Sequence, residues 1–179
     1  ATAQAIVRAV GGQVATVGVF VNREPMEINE ITATVGLDMV QLHGDEPPDI
    51  CSQLSASSIL RAHRLASGQS LEAVREYLCG WRHARLAGVL VDAFKLGKYG
   101  GTGEVVDWQK LAETDCDLLG LPLVLAGGLT PLNVAAAIAT VKPAAVDTAS
   151  GVESDPGVKS HQLVEEFVVK AAAAFAEQS

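Results

Sequence analysis

Residues Pro122–Glu153 read PLVLAGGLTPLNVAAAIATVKPAAVDTASGVE. An apolar run from Pro122 to Ala126 stops at Gly127 and Gly128, and helical spacing then follows from Pro131 to Val141. Thr130 offers a hydroxyl N-cap, and Pro131 takes the first helical position, where a missing N–H costs nothing. A second apolar run, Ala144 to Asp147, ends at Asp147 and leads into Ser150 and Gly151. Strands that read as continuous apolar runs are covered on both faces, as in a parallel sheet flanked by helices. The stretch is therefore a βαβ unit.

The same rhythm extends in both directions. Further strands are predicted at Val14–Val21, Met39–Leu42, Ile59–His63 and Gly88–Val91, making six with the two above. Other helices are predicted near Met26–Val35, Pro48–Leu54, Ser70–Leu78, Trp108–Glu113 and Lys159–Glu177. Ahead of the first strand, Ala3, Ile6, Val7 and Val10 share one helical face, and Gly11 with Gly12 make a helix stop. A closed parallel barrel needs eight strands. The expectation is a single domain over residues 1–179, an incomplete barrel without its first two βα strands, and an opening Ala1 in place of Met agrees with a preceding segment.

With 49% hydrophobic residues the chain can bury a sizeable core, and a net charge of −8 without clustered Lys or Arg argues against nucleic acid as a partner. No apolar run is long enough to span a bilayer and no secretion signal opens the chain, which predicts no membrane partner and a cytoplasmic location. Cys51, Cys79 and Cys116 form no CxxC pair, so neither a disulfide framework nor a metal site is expected.

Four segments can carry chemistry. Gly127 and Gly128 let a backbone approach an anion closely, although a tight βα turn accounts for them equally well on their own. Ser150 can cap a short helix whose free N–H groups face a phosphate, with Gly151 giving clearance. In parallel barrels the loops after the last two strands commonly hold phosphate. In VLVDAFKLGKYGGTGE, residues 89–104, Asp92 ends a strand, where barrel enzymes place general acids and bases. Gly97, Gly100, Gly101 and Gly103 make the loop after it look like a lid. Lys95 and Lys98 there read as solvated loop residues. In VQLHGDEPP, residues 40–48, Gln41 and His43 alternate about Leu42 and so share one strand face. His63 and Arg64 close the next strand, where an Arg can orient a carboxylate or simply meet solvent.

GVFVN at residues 18–22, VQLHGDE at 40–46, VDAFKLGKYGGTG at 91–103, LAGGLTPLNV at 125–134 and AVDTASGVES at 145–154 together resemble, in order and spacing, the phosphoribosylanthranilate isomerases. The resemblance spans nearly the whole chain. It implies an α/β fold, a TIM (β/α)8 barrel, and a cofactor-free, metal-free Amadori rearrangement of N-(5-phosphoribosyl)anthranilate in tryptophan biosynthesis. It implies Asp92 as the general acid that opens the ribose ring, Gly127, Gly128, Ser150 and Gly151 at the substrate phosphate, and Gln41, His43 and Asp147 lining the pocket. Ala149 stands where members often have Ser, which removes a hydroxyl from the phosphate loop.

The family's general base is a Cys in a Lys-Ile-Cys-Gly motif on its first strand, and no such motif occurs in this chain. None of the three cysteines takes that role. A chain of this kind should turn over poorly by itself, and its unpaired barrel edges should invite self-association. Two other readings fit the same segments: a non-catalytic phosphate-binding half-barrel that needs an N-terminal partner, and another phosphosugar barrel such as indole-glycerol-phosphate synthase. The sequence around Tyr99–Gly103 and the lack of metal ligands speak against the synthase.

Overall fold

The computed structural model describes residues 2–65, 69–92, 108–112 and 117–178. Six strands form one sheet in chain order: β1 (Val17–Phe20), β2 (Met39–Leu42), β3 (Ile59–Arg64), β4 (Gly88–Asp92), β5 (Leu123–Ala126) and β6 (Ala145–Val146). Every neighbouring pair is parallel. Parallel neighbours require a crossover, and helices supply most of them. The helices are α1 (Thr2–Val10), α2 (Pro25–Val35), α3 (Leu71–Cys79), α4 (Trp108–Ala112), α5 (Val134–Val141) and α6 (His161–Ala176).

Strand alternation sorts the side chains into two layers. Phe20, Leu42, Ile59, Val89, Val91 and Leu125 pack with Ile28 of α2, Val74 and Leu78 of α3, Ile138 of α5 and Phe167 of α6. On the other face Ala62, Leu90 and Ala126 form a second, smaller cluster with Val124. Burial of the first layer carries the helices, because each fully buried Leu, Ile or Val is worth about 1.5–3 kcal/mol. At the β1 edge the second face is bare: Val17, Val19 and Val21 are 40%, 59% and 54% exposed.

Several expected elements differ in detail. The helix predicted over Pro48–Leu54 is a 3₁₀ helix, Pro48–Ser52, because the Pro47–Pro48 pair removes two N–H donors. The strand predicted over Val14–Val21 pairs only over β1, and Thr16 before it bonds the Asp38 carboxylate through its N–H and hydroxyl. Helix α5 begins at Val134, three residues after Pro131, because Asn133 holds the intervening turn: its Oδ1 accepts from Thr130 N–H and its Nδ2 donates to Gly128 O. Lys159 lies in a short hairpin, β7 (Glu153–Asp155) with β8 (Val158–Lys159), and Ser160 caps α6 through Leu163 N–H. That hairpin was not expected from the sequence. The predicted lid with Lys95 and Lys98, together with Cys116 and Glu113, lies outside the described residues. Among the described residues no helix is long and apolar enough to cross a membrane.

Candidate active site at the carboxyl ends of the strands

Gln41 and Leu60 are register partners, as are Leu90 and Val124, and alternation along these strands points Gln41, His43, Asp92 and Asp147 to the face that carries Ala62, Leu90 and Ala126. All four stand at or just past the carboxyl ends of β2, β4 and β6. The expected pocket residues are therefore brought together.

Gln41 Nε2 lies 2.8 Å from His43 Nδ1. When the amide N–H donates there, Nδ1 is the acceptor and the proton of a neutral ring is on Nε2. That Nε2 faces Asp92 Oδ2 at 4.0 Å, too far for a hydrogen bond but close enough for attraction. The other oxygen, Asp92 Oδ1, is buried and has no hydrogen-bond partner among the described residues. A buried carboxylate oxygen without a donor is costly and marks a place where a ligand group can bond. Burial pushes the Asp147 carboxyl above the usual carboxylate range, the charge of Asp92 adds to this, and His43 and Lys159 oppose it.

A raised folded-state pKa means that the folded protein holds the Asp147 proton more tightly than the unfolded chain. The stability this contributes is present at low pH and is lost as pH rises from the ordinary carboxylate value through the folded one. Asp147→Asn is therefore expected to raise Tm at neutral pH and leave it nearly unchanged in acid. Thermal melts at both pH values check this, and an equal fall at both would refute it.

The two glycine-bearing loops meet. Gly127 and Gly128 have φ of +94° and +68°, a left-handed region that side-chain-bearing residues rarely occupy. Thr148 Oγ1 donates to Leu129 O at 2.7 Å, tying the loop after β5 to the loop after β6. A Cβ on Gly151 would collide with Leu129 O and stand 2.7 Å from Thr148 Oγ1. Gly151→Ala must force the loops apart, at about 1–3 kcal/mol. The expected result is a lower denaturation midpoint, measured by urea titration.

Ser150 opens the 3₁₀ helix Ser150–Val152 in place of capping it, and Ala149 occupies the cap position without a side-chain bond. Lys159 Nζ, from the hairpin, braces this loop by donating to Ala149 O and Glu153 Oε1, both at 2.7 Å. Sequence reading missed both Thr148 and Lys159. The threonine sits between two predicted site residues, and that position was its only signal.

His63 is turned to the helix side of the sheet, where its ring stacks on Tyr77 with centroids 4.4 Å apart. Burial and the nearby Arg61 charge push its pKa down. Arg64 is paired in register with Asp92 at the strand ends and lines a cleft of about 300 Å³ with Asn22, His43 and Asp45. Cys51 is buried in the sheet–helix layer, and burial pushes its thiol up, away from the thiolate a base requires. Cys79 is exposed. Among the described residues no three His, Cys, Asp or Glu side chains are grouped to hold a metal ion.

Parallel βα units with their polar groups gathered at the strand carboxyl ends define a protein of the βα-barrel class. A sequence profile of N-(5'-phosphoribosyl)anthranilate (PRA) isomerase matches residues 1–170. The isomerase of Geobacter sulfurreducens is 45% identical over 87% of this chain and 71% of its own length. That of Pseudomonas fluorescens is 43% identical over 93% and 74%. The crystal structure of the Thermotoga maritima isomerase superposes with a TM-score of 0.79 at 35% identity, over 96% of this chain and 79% of that one. A further isomerase structure, in complex with reduced 1-(o-carboxyphenylamino)-1-deoxyribulose 5-phosphate, gives a TM-score of 0.73 at 32% identity, over 96% and 78%. The chain belongs to the N-(5'-phosphoribosyl)anthranilate isomerase family.

Proposed function

We propose that this chain serves the Amadori rearrangement of N-(5'-phosphoribosyl)anthranilate to 1-(2-carboxyphenylamino)-1-deoxyribulose 5-phosphate, a cytoplasmic step of tryptophan biosynthesis. Asp92 is the general acid. It gives its proton to the ribose ring oxygen, the C1–O bond breaks, and the anthranilate nitrogen takes up the positive charge as an iminium. Loss of the C2 proton to a base yields an enolamine, whose tautomer is the ketone product. The observation that carries this reading is Asp92 at a strand end, its buried Oδ1 without a hydrogen-bond partner among the described residues and its Oδ2 set opposite His43.

Gly127, Gly128, Ser150 and Gly151 hold the phosphate, with Thr148 and Lys159 bracing their loops. Gln41, His43 and Asp147 line the pocket. The sheet supplies six strands of an eight-stranded barrel in a single domain. Two more parallel strands, bridging β6 to β1, cover the exposed Val17, Val19 and Val21 and bring the general base, since Cys51 is buried with a raised pKa.

Chromatographic assay of substrate conversion tests the reading. The chain by itself should bind the reduced product analogue with little turnover, and adding or fusing the first two βα units of a relative should restore turnover. No analogue binding, with or without the added segment, would overturn it.

A further inference from the structure

We propose that Arg61 and Glu46 are a positioning pair that aims His43 at Asp92 from the far side of the sheet. The inference rests on the reading of His43 as a pocket residue. Arg61 lies mid-strand in β3 with its guanidinium against α3 and Trp81, on the side away from Asp92. It borders the same cleft as His43 and Arg64. Yet it is 4% exposed and Glu46 5%, and burying two charges is costly unless every bond is made.

Here the bonds converge on one short segment. Arg61 Nη1 donates to Leu42 O at 3.1 Å and to Glu46 Oε2 at 2.7 Å, and Nη2 donates to Gly44 O at 2.7 Å. Glu46 in turn accepts from Gly44 N–H at 2.9 Å and from Asn22 N–H at 2.7 Å. The carbonyls on both sides of His43 thus bond the same guanidinium, while His43 N–H donates to Phe20 O at 2.8 Å. The guanidinium is itself fixed: Nε donates to Tyr77 OH at 2.6 Å, and Cζ lies 4.7 Å from the Trp81 ring centroid. Close packing completes the hold, because a Cβ on Gly44 would collide with Asn22 Oδ1. With its backbone clamped, His43 is left its two side-chain torsions, and the Gln41 contact at Nδ1 restrains them.

A pair that served stability alone could be exchanged for apolar side chains without effect on the pocket. The test compares the full chain with the double variant Arg61→Met/Glu46→Leu and with the milder Glu46→Gln. Long-range ¹H–¹⁵N spectra of the His43 imidazole are recorded in alkaline buffer, and calorimetry follows the reduced product analogue and inorganic phosphate separately. The wild-type ring should show a single tautomer with its proton on Nε2. In the variants the pattern should move toward the tautomer average, analogue affinity should fall on the order of tenfold, as for one lost hydrogen bond, and phosphate affinity should stay unchanged. If the double variant does not fold, Glu46→Gln decides on the same readings. An unchanged His43 spectrum with analogue affinity within about twofold overturns the inference. A variant-dependent His43 spectrum in a chain that binds no analogue supports the positioning pair and refutes the isomerase reading instead.

Discussion

Asp92→Asn in the chain fused to the first two βα units of a relative is expected to lower kcat by about 10²–10⁴-fold, the usual worth of a positioned general acid. That corresponds to about 3–5 kcal/mol of transition-state stabilisation. The substitution keeps the size and shape of a residue whose Oδ1 bonds nothing among the described residues, so the fold and KM should change little. Steady-state kinetics separate the two quantities. A kcat reduced less than about tenfold, with the protein folded, would remove Asp92 from the acid role. A large rise in KM at constant kcat would make it a binding group only.

Arg61→Ala is expected to be the most damaging single change to stability. It strands the Glu46 carboxylate, whose side chain is 2% exposed, and strips donors from Leu42 O, Gly44 O and Tyr77 OH. Breaking a buried pair from one side costs about 3–5 kcal/mol, a large part of the roughly 5–15 kcal/mol that holds a domain together. For a chain of this size Tm should fall by roughly 6–20 °C. Arg23→Ala, which removes the exposed pair with Glu27, is the control and should shift stability by less than about 1 kcal/mol. Differential scanning calorimetry of both variants checks the contrast, and similar losses would show that burial is not what gives the Arg61 pair its weight.

Strands β2 to β6 were legible because a strand covered on both faces leaves an uninterrupted run such as Gly88–Val91, and the pocket was legible because its residues end such runs. Legibility failed where short-range polar bonding overrides pattern. Pro47 and Pro48 tighten an expected α-helix into a 3₁₀ turn, where Ser52 Oγ bonds Asp49 O. Asn133 delays α5 by holding Thr130 and Gly128. The hairpin of Glu153–Asp155 with Val158–Lys159 is too short and too polar to show periodicity. The Arg61–Glu46 pair left one trace, a charged residue in the middle of a strand, but its partner 15 positions earlier is visible only in the fold. His63 adjoins Arg64 at the strand end in sequence, but alternation sends it to the opposite face, against Tyr77.

We propose that this chain carries the phosphate-binding and acid portion of an isomerase site. The most direct test is a ¹H–¹⁵N titration of the chain with the reduced product analogue. The account predicts saturable shifts at the amides of Gly127, Gly128, Ser150 and Gly151 and in the His43 ring, all lost in Gly151→Ala. Shifts confined to other regions of the chain, or none at millimolar analogue, would contradict it.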